Sequence, residues 1–422
     1  MELTSQLYLS VAFEEKECIK EMGAKYNAKA KLWWVEATAD PLQFQEWWTV
    51  LEDTYQDKEQ IKLMGAKFCG EISQWYVPHN LEFFNFIKWW PKDLKQYLFQ
   101  GRFLAKEKLD IASGQADVFR GTDMINNSLC AIKLFKVGSN ASETDKFDAG
   151  YKKERHALIT MEKNSYVMPL EEWDKHKITG RDYIVMPWLP YTLSDIIGKS
   201  DEECIELFMN ALSELGEGKI NIEKRREKKL TELKDRNKNR WVNKFDTYLL
   251  HLLDGICACH SAGFYHRDIK PQNIFLEVDA SDLKSSFKVV LGDFGIAKHR
   301  PPNSRGRTLI QDNQKTLFMA HTTPWTPPRK NMDARTFNEV KFQQTWDIWS
   351  WAAVAVSLII DKELNDMNEL ESYLNNEFKL EVDDDIWQLI MSAFAKNPED
   401  RPKDATQFRD SVVNLTNNSR GH

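Results

Sequence analysis

The stretch HRDIKPQNIFL (266–276) decides the fold. It follows an amphipathic run, FDTYLLHLLDGICACHSAG (245–263), that reads as a helix closed by Gly263. Asp268 is then followed by Lys270 and Asn273, on a loop where Pro271 should prevent a helix. A carboxylate accepts a hydroxyl proton, a lysine two residues on holds a phosphoryl oxygen, and an asparagine ligates a metal. Downstream, KVVLGDFGIAK (288–298) reads as a strand delivering a second carboxylate, Asp293, ahead of Phe294 and Gly295. Upstream, CAIKLF (130–135) puts Lys133 on a strand. Short apolar runs at 103–135 and 183–189 precede long helical stretches from about 200, so a strand-rich piece and a helical piece are expected.

Together these residues resemble the eukaryotic-type (Hanks-type) serine/threonine protein kinase family, over about residues 100–412. The resemblance implies an α+β, bilobal protein-kinase fold: a β-rich N-lobe and hinge at 96–190, a helical C-lobe at 191–416 and a tail at 417–422. It implies ATP and Mg2+ as cofactors and a transferase that phosphorylates serine or threonine hydroxyls of proteins. By the same resemblance Asp268 orients the acceptor hydroxyl, Lys270 neutralises the γ-phosphate, and Asn273 and Asp293 hold magnesium. Val118 and Ala131 line the nucleotide, and Lys133 contacts the α- and β-phosphates. The partner of Lys133 is Glu154 in YKKERHALITM (151–161), with Leu158 one turn later on the inner face. YIVMPWLP (183–190) resembles the lobe connection, with Met186 at its gate and the backbone of Pro187 and Leu189 reading adenine. Asp347, in TWDIWSWAAVAV (345–356), braces the catalytic loop from a buried helix, and Thr323 is expected against Asp268.

The phosphate cover departs from the family. In IASGQADVFRG (111–121), Val118 stands 15 residues before Lys133, which puts the family's three glycines on Ile111, Ser113 and Ala116. Gly114 is then an extra glycine, counted among the nucleotide contacts. Serine and alanine are small, whereas Ile111 adds a side chain where backbone amides close on phosphate. A usable cover of reduced affinity is expected.

Four further segments carry expectations of their own. PPR (327–329) stands where the family has Ala-Pro-Glu, so Arg401 needs Glu339 or another acid in place of its usual glutamate, because Arg329 would repel it. Arg267 resembles the arrangement found in members controlled by phosphorylation, with Ser304, Thr308 and Thr316 as candidate acceptors. KINIEKRREKKLTELKDRNKNR (219–240) carries ten basic and four acidic residues and reads as a solvent-facing helix extension. DASDLKSS (279–286) reads as a hairpin tip.

The front of the chain is built differently. EEKECIKEMGAKYNAKAKLWWV (14–35) and QDKEQIKLMGAKFCGEISQWYV (56–77) align without a gap at an offset of 42, with ten of 22 positions identical. The same offset pairs Phe44 with Phe86, Trp47 with Trp89 and Trp48 with Trp90, so residues 1–95 read as a duplicated Trp-rich α+β module with repeats at about 8–50 and 51–92. Each repeat should contain a short helix stopped by Gly23 or Gly65, a strand, and a second helix carrying Phe-x-x-Trp-Trp. The module resembles a small domain of unassigned function found in plasmid primase-like proteins. Its ligand is expected to be a protein or a nucleic acid. Lys25, Lys29, Lys31 and Lys67 could meet phosphates, but eleven basic against fifteen acidic residues in 1–95 is the wrong balance for a backbone-binding surface. The tryptophans are therefore expected to fill two small cores.

The totals set the frame. A 422-residue chain holds two or three domains, and a net charge of −7 gives no general pull toward nucleic acid or acidic membranes. Six cysteines without metal spacing read as reduced thiols in a cytoplasmic setting. MELTSQLYLS (1–10) lacks a secretory pattern, and the most apolar window, WAAVAVSLII (351–360), is about half of the roughly 20 residues a membrane span needs. The expected function is a Mg-ATP-dependent serine/threonine kinase whose front module selects partner or location, with phage defence or stress signalling as a setting. Two alternatives stay open: a nucleotide-binding pseudokinase scaffold, or a kinase-fold enzyme acting on a non-protein substrate such as nucleic acid.

Overall fold

The computed structural model describes residues 6–111, 114–216, 221–228, 248–278, 287–299, 324–328, 340–377 and 384–420. The chain divides into two units, one running to Lys136 and including Asp174–Tyr183, the other comprising Val137–Trp173 and the chain from Ile184 onward. Six candidate positions lie outside the described residues: Ser304, Thr308, Thr316, Thr323, Arg329 and Glu339. So do Ser113 and the stretch 279–286.

The 42-residue offset of the front segment returns in its backbone. Strand β1 (Leu7–Leu9), helix α1 (Lys16–Glu21), β2 (Lys25–Asn27) and β3 (Leu32–Val35) are followed by β4 (Val50–Leu51), α2 (Lys58–Leu63), β5 (Lys67–Cys69) and β6 (Gln74–Tyr76). The two three-stranded sheets have matching orders, β1-β3-β2 and β4-β6-β5. Gly23 and Gly65 stop the helices at φ +93° and +98°, where glycine avoids a side-chain clash. Ile19 and Ile61 are the fully buried anchors of the helices, each worth about 2 kcal/mol of burial.

The second helix expected in each repeat is a 3-10 segment, Pro41–Trp47 and Phe83–Trp89, kinked at Phe44 and Phe86. A three-residue turn aligns Phe44 with Trp47 and Phe86 with Trp89 along one side, which the Phe-x-x-Trp spacing favours. The following indoles then tie the segments down: Trp48 Nε1 donates to the Pro41 carbonyl at 3.0 Å and Trp90 Nε1 to that of Phe83 at 2.9 Å. Trp48, Trp89 and Trp90 are buried. One core gathers Leu51, Ile61, Val77, Phe86 and Trp89. Between the sheets, Ala30, Leu32 and Cys69 pack with Tyr8, Ile72 and Tyr76.

A strand-rich N-lobe follows. Helix α3 (Lys92–Lys95) leads into β7 (Leu98–Phe99), β8 (Phe103–Lys108), β9 (Ala116–Asp123) and β10 (Ser128–Phe135). These four strands are neighbours in the order β10-β9-β8-β7. Gly121 permits the close approach of β8, since a Cβ there would stand 2.8 Å from the Leu104 carbonyl oxygen. In the same unit, Gln45 Nε2 donates to the Ala105 carbonyl at 2.7 Å, beside an irregularity in the β8–β9 register.

The second unit is mainly helical. It contains α4 (Ala141–Thr160), α5 (Asp201–Glu214), α6 (Leu250–Ser261), α7 (Val340–Ile359), α8 (Met367–Ser372), α9 (Asp384–Ala393) and α10 (Ala405–Arg420). Strands β11 (Glu172–Lys175) and β12 (Asp182–Pro187) carry the chain between the units; β13 (Tyr191–Thr192), β14 (Phe264–Tyr265), β15 (Ile274–Glu277), β16 (Lys288–Leu291) and β17 (Lys298–His299) are short. All but the last residue of the apolar window 351–360 lies on α7, where Trp346 and Trp351 are fully buried, as a core helix should be. Among the described residues no helix is long and apolar enough to cross a membrane. All six cysteines are free.

Residues 221–228 of the basic run are helical and mostly exposed, and Arg226 Nε bonds Glu206 at 2.6 Å; the rest of that run lies outside the described residues.

Candidate active site

Helix α6 ends at Gly263, whose φ of +79° turns the chain into β14 and then the 266–276 segment. Pro271 does not exclude helical structure there. It opens a single 3-10 turn, Pro271–Asn273, at the first position, where a missing N–H costs nothing. That turn folds Asn273 back on Asp268: Asn273 Nδ2 donates to the Asp268 carbonyl at 2.8 Å and to Oδ2 at 2.9 Å. Lys270 Nζ donates to the same Oδ2 at 3.0 Å. Three residues singled out in the sequence therefore share one carboxylate oxygen. Because Nδ2 is the donor, the Asn273 Oδ1 stays available for a cation.

Asp293 belongs to the same constellation. Burial is the largest influence on the Asp268 carboxyl and raises it above the usual aspartate value; the Asp293 charge adds to the rise, while Lys270 opposes it. The Asn273 Oδ1 and the Asp293 carboxylate are oxygen donors of the hard kind that could hold Mg2+. Asp293 has φ +61° and Arg267 φ +67°, left-handed values that a side chain normally avoids. Such strain persists only where the surroundings enforce it, and it is common at active sites.

At Arg267 the enforcement comes from Asp347 on α7. Its Oδ2 accepts from the His266 backbone N–H at 2.9 Å and its Oδ1 from that of Arg267 at 2.8 Å. His260 Nε2, on α6, donates to Oδ2 at 2.9 Å. Burial alone would raise this carboxyl, but the hydrogen bonds from His260 and the Arg267 backbone outweigh it and hold it below the usual aspartate value. The bracing role expected of Asp347 therefore has a geometry. Sequence reasoning misses His260; its place six residues before His266, at the end of an amphipathic helix, is the available signal.

His266 is missed as well, although it opens the segment. Its Nδ1 accepts from the Asp268 N–H at 3.3 Å, so the proton sits on Nε2, which donates to the Gly292 carbonyl at 2.9 Å. The Gly292 N–H in turn bonds the Asn273 carbonyl at 3.0 Å. These bonds fasten the residue preceding Asp293 to the 266–273 loop. The Arg267 guanidinium bonds the Ile296 carbonyl, through Nε at 3.0 Å and through Nη2.

The remaining expected site residues are divided between the two units. In the second unit Glu154 is buried on α4 with Leu158 fully buried one turn later, Met186 and Pro187 close β12, and Leu189 follows it. In the first unit Lys133 is buried on β10 directly opposite Val118 on β9, and Ala131 faces Arg120. The 15-residue spacing thus corresponds to one cross-strand pair. Gly114 is exposed, with open space for 4 Å around the position a Cβ would take, and Ile111 is exposed too. Arg401 is buried: its guanidinium lies 4.9 Å from the Trp349 ring centre and Nε donates to the Ala395 carbonyl at 2.8 Å. Burial pushes its pKa down to about 10.

A protein kinase domain model matches residues 111–421, nearly three-quarters of the chain, and the chain belongs to that family. Residues 6–49 match a domain of unknown function, DUF5710. A probable serine/threonine-protein kinase of Clostridium acetobutylicum is 23% identical over 76% of this chain and 41% of its own length. An Aurora kinase of Dictyostelium discoideum is 26% identical over 35% of this chain and 34% of its own length. The serine/threonine-protein kinase PkaB of Streptomyces coelicolor is 25% identical over 35% of this chain and 34% of its own. The matches thus span less than half of each of these relatives.

Proposed function

We propose that this protein is a serine/threonine protein kinase, and that its duplicated front module selects the partner or the location. The observation that carries the reading is the shared Asp268 oxygen, bonded by Lys270 and Asn273 with the Asp293 charge close by. Asp268 accepts the proton of the acceptor hydroxyl, and Lys270 steadies the transferring phosphoryl group from the same side. Asn273, through Oδ1, and Asp293 would hold magnesium. Mg-ATP, when bound, supplies the phosphoryl group and offsets its charge. Lys133 and Glu154 keep the roles that the kinase resemblance gives them, as do Val118, Ala131, Met186, Pro187, Leu189 and Gly114 at the nucleotide. Serine/threonine preference is supported by Lys270 two residues after Asp268 and by the names of the bacterial relatives.

Matching sheet orders, helix stops and indole bonds at a 42-residue offset support descent of the front module from one duplicated unit. A cytoplasmic role in phage defence or stress signalling is the setting we favour. The test is transfer of labelled phosphate from ATP to protein. Transfer that disappears in Lys133→Met and in Asp268→Asn supports the reading. Nucleotide binding without transfer by the parent chain would favour a pseudokinase scaffold, the alternative suggested by the isoleucine in the phosphate cover.

A further inference from the structure

The front module carries a second regularity, on its outside. Packing explains why Ile19 and Ile61, Ala24 and Ala66, and Val35 and Val77 are identical between the repeats, since all six are buried. It does not explain the identities at the surface. Lys20 and Lys62, and Lys25 and Lys67, are matched and exposed; Lys16 and Lys58 are matched as well.

Beside these lysines both repeats expose rings at matched positions. Phe13 is 75% exposed and Tyr55 88%, while Tyr26 is 53% exposed and Phe68 54%. Lys16 Nζ lies 3.9 Å from the Phe13 ring centre, and Lys58 Nζ lies 6.0 Å from that of Tyr55. Tyr26 contacts Trp33 at 5.4 Å between ring centres, and Phe68 contacts Trp75 at 5.7 Å. Tyrosine and phenylalanine have changed places between the repeats at both positions. What both copies keep is a ring face, and the hydroxyl is dispensable.

Acids are matched at three positions as well, Glu15 with Asp57, Glu17 with Glu59 and Asp40 with Glu82, but most of the acids are not. Glu14, Glu21 and Glu36 face Gln56, Leu63 and Pro78 in the other repeat, and Glu71 faces Lys29. The acids kept at Glu15 and Asp57 are occupied, accepting from Trp47 Nε1 at 3.0 Å and Trp89 Nε1 at 2.8 Å. Glu17 is kept as Glu59, and lies 3.9 Å from Lys20. The unfavourable overall charge of residues 1–95 therefore comes largely from positions that the repeats do not share.

We infer that the two repeats form a paired binding surface for single-stranded nucleic acid, with Tyr26 and Phe68 as base-stacking faces and the matched lysines as phosphate contacts. An acidic polypeptide would use the lysines but has no need of matched ring faces. An apolar peptide would use the rings but not the lysines. Unstacked bases on a phosphate backbone use both, and stacking tolerates the exchange of tyrosine for phenylalanine. The inference rests on the reading of the front module as the part that selects a partner, and deepens it by naming the partner's chemistry.

The test titrates the full chain into a fluorescently labelled oligodeoxythymidine of about 30 nucleotides, at low and at physiological salt, read by anisotropy. The parent should bind, more weakly as salt rises. Tyr26→Ala with Phe68→Ala should lose tenfold or more in affinity, consistent with one to two stacked bases, and each single change should lose less. Lys16→Glu with Lys58→Glu should weaken binding and flatten its salt dependence. Circular dichroism of each variant checks that the module stays folded. No binding at low salt, unchanged binding by the folded ring-less variant, or tighter binding of polyglutamate through the same rings would overturn the assignment. Phosphate transfer to protein is measured on the same samples: transfer that persists when oligonucleotide binding fails removes this inference alone and leaves the kinase reading standing.

Discussion

The catalytic segment and the front module break the ordinary inside-outside rule in opposite directions. The catalytic segment buries polar groups: His266, Arg267, Asn273 and Asp347 are all in the interior. The front module exposes rings: Phe13, Tyr26, Tyr55 and Phe68 face solvent. Both arrangements cost stability if considered alone. In the first, the cost is offset inside the molecule, because the buried groups bond one another. In the second the rings stay open to solvent in both copies, which points outward to a ligand. The difference teaches where to look for each function: in the internal hydrogen bonds of one region, and in the repeated solvent-facing residues of the other.

The comparison can be broken most sharply at Asp268. Asp268→Asn keeps the volume and the Asn273 contact region but removes the proposed proton acceptor, so phosphate transfer should fall by about a thousandfold with little change in melting temperature. A variant that retains more than a tenth of the parent rate would mean that Asp268 is not the base.

Asp347→Ala comes next. It strips the His266 and Arg267 N–H groups of their acceptor in the interior, and should destabilise the chain by about 3 kcal/mol in denaturant melts, with activity reduced in parallel. Ile61→Ala in the front module should cost a similar amount, about 3 kcal/mol, and Ile19→Ala should match it, because both anchors are fully buried. Different costs would show that the repeats are not energetically equivalent.

A pH profile gives a smaller effect with a definite sign. The Asp268 carboxyl is raised above the usual 3.8, so the base is protonated, and the rate lost, at a higher pH than for an ordinary aspartate. Lys270 holds that value down, so Lys270→Met should move the acid limb of the residual activity further up in pH. Removing the Asp293 charge by Asp293→Asn should move it down. A limb that moves the other way in either variant would remove Asp268 from the titration.

The smallest effect sharpens the comparison within the module. Gly23→Ala meets nothing within 4 Å and should cost only the left-handed backbone penalty, about 1 kcal/mol. Gly65→Ala pays that penalty and also presses on Leu81 Cδ1 at 2.7 Å, so its melting temperature should fall further.

Much of this was legible in the sequence. The kinase fold could be read because Lys133, Asp268, Asn273 and Asp293 are ordered along the chain with strands and a helix at fixed spacings. The 15 residues between Val118 and Lys133 proved to be one antiparallel pairing. The paired glycine stops were legible too, since Gly23 and Gly65 end their helices at positive φ. Pairings between distant side chains were harder to read. His260 reaches Asp347 across 87 residues, and nothing local in either sequence names the other. The 3-10 form of Pro41–Trp47 and Phe83–Trp89 was missed because a spacing of three fits either helix, and the indole bonds that decide between them depend on the tertiary fold. In the front module the strongly exposed rings are phenylalanine and tyrosine: Tyr26 and Phe68 on strands, Phe13 and Tyr55 outside them.

The Asp268 cluster is proposed to transfer phosphate. The most direct measurement incubates the intact chain and its Asp268→Asn form with labelled ATP, Mg2+ and a mixture of cytoplasmic proteins, and assigns the labelled residues. The predicted result is label on protein serine and threonine from the intact chain and none above background from the variant. Equal labelling by both forms, or none by either under conditions where ATP is bound, would contradict it.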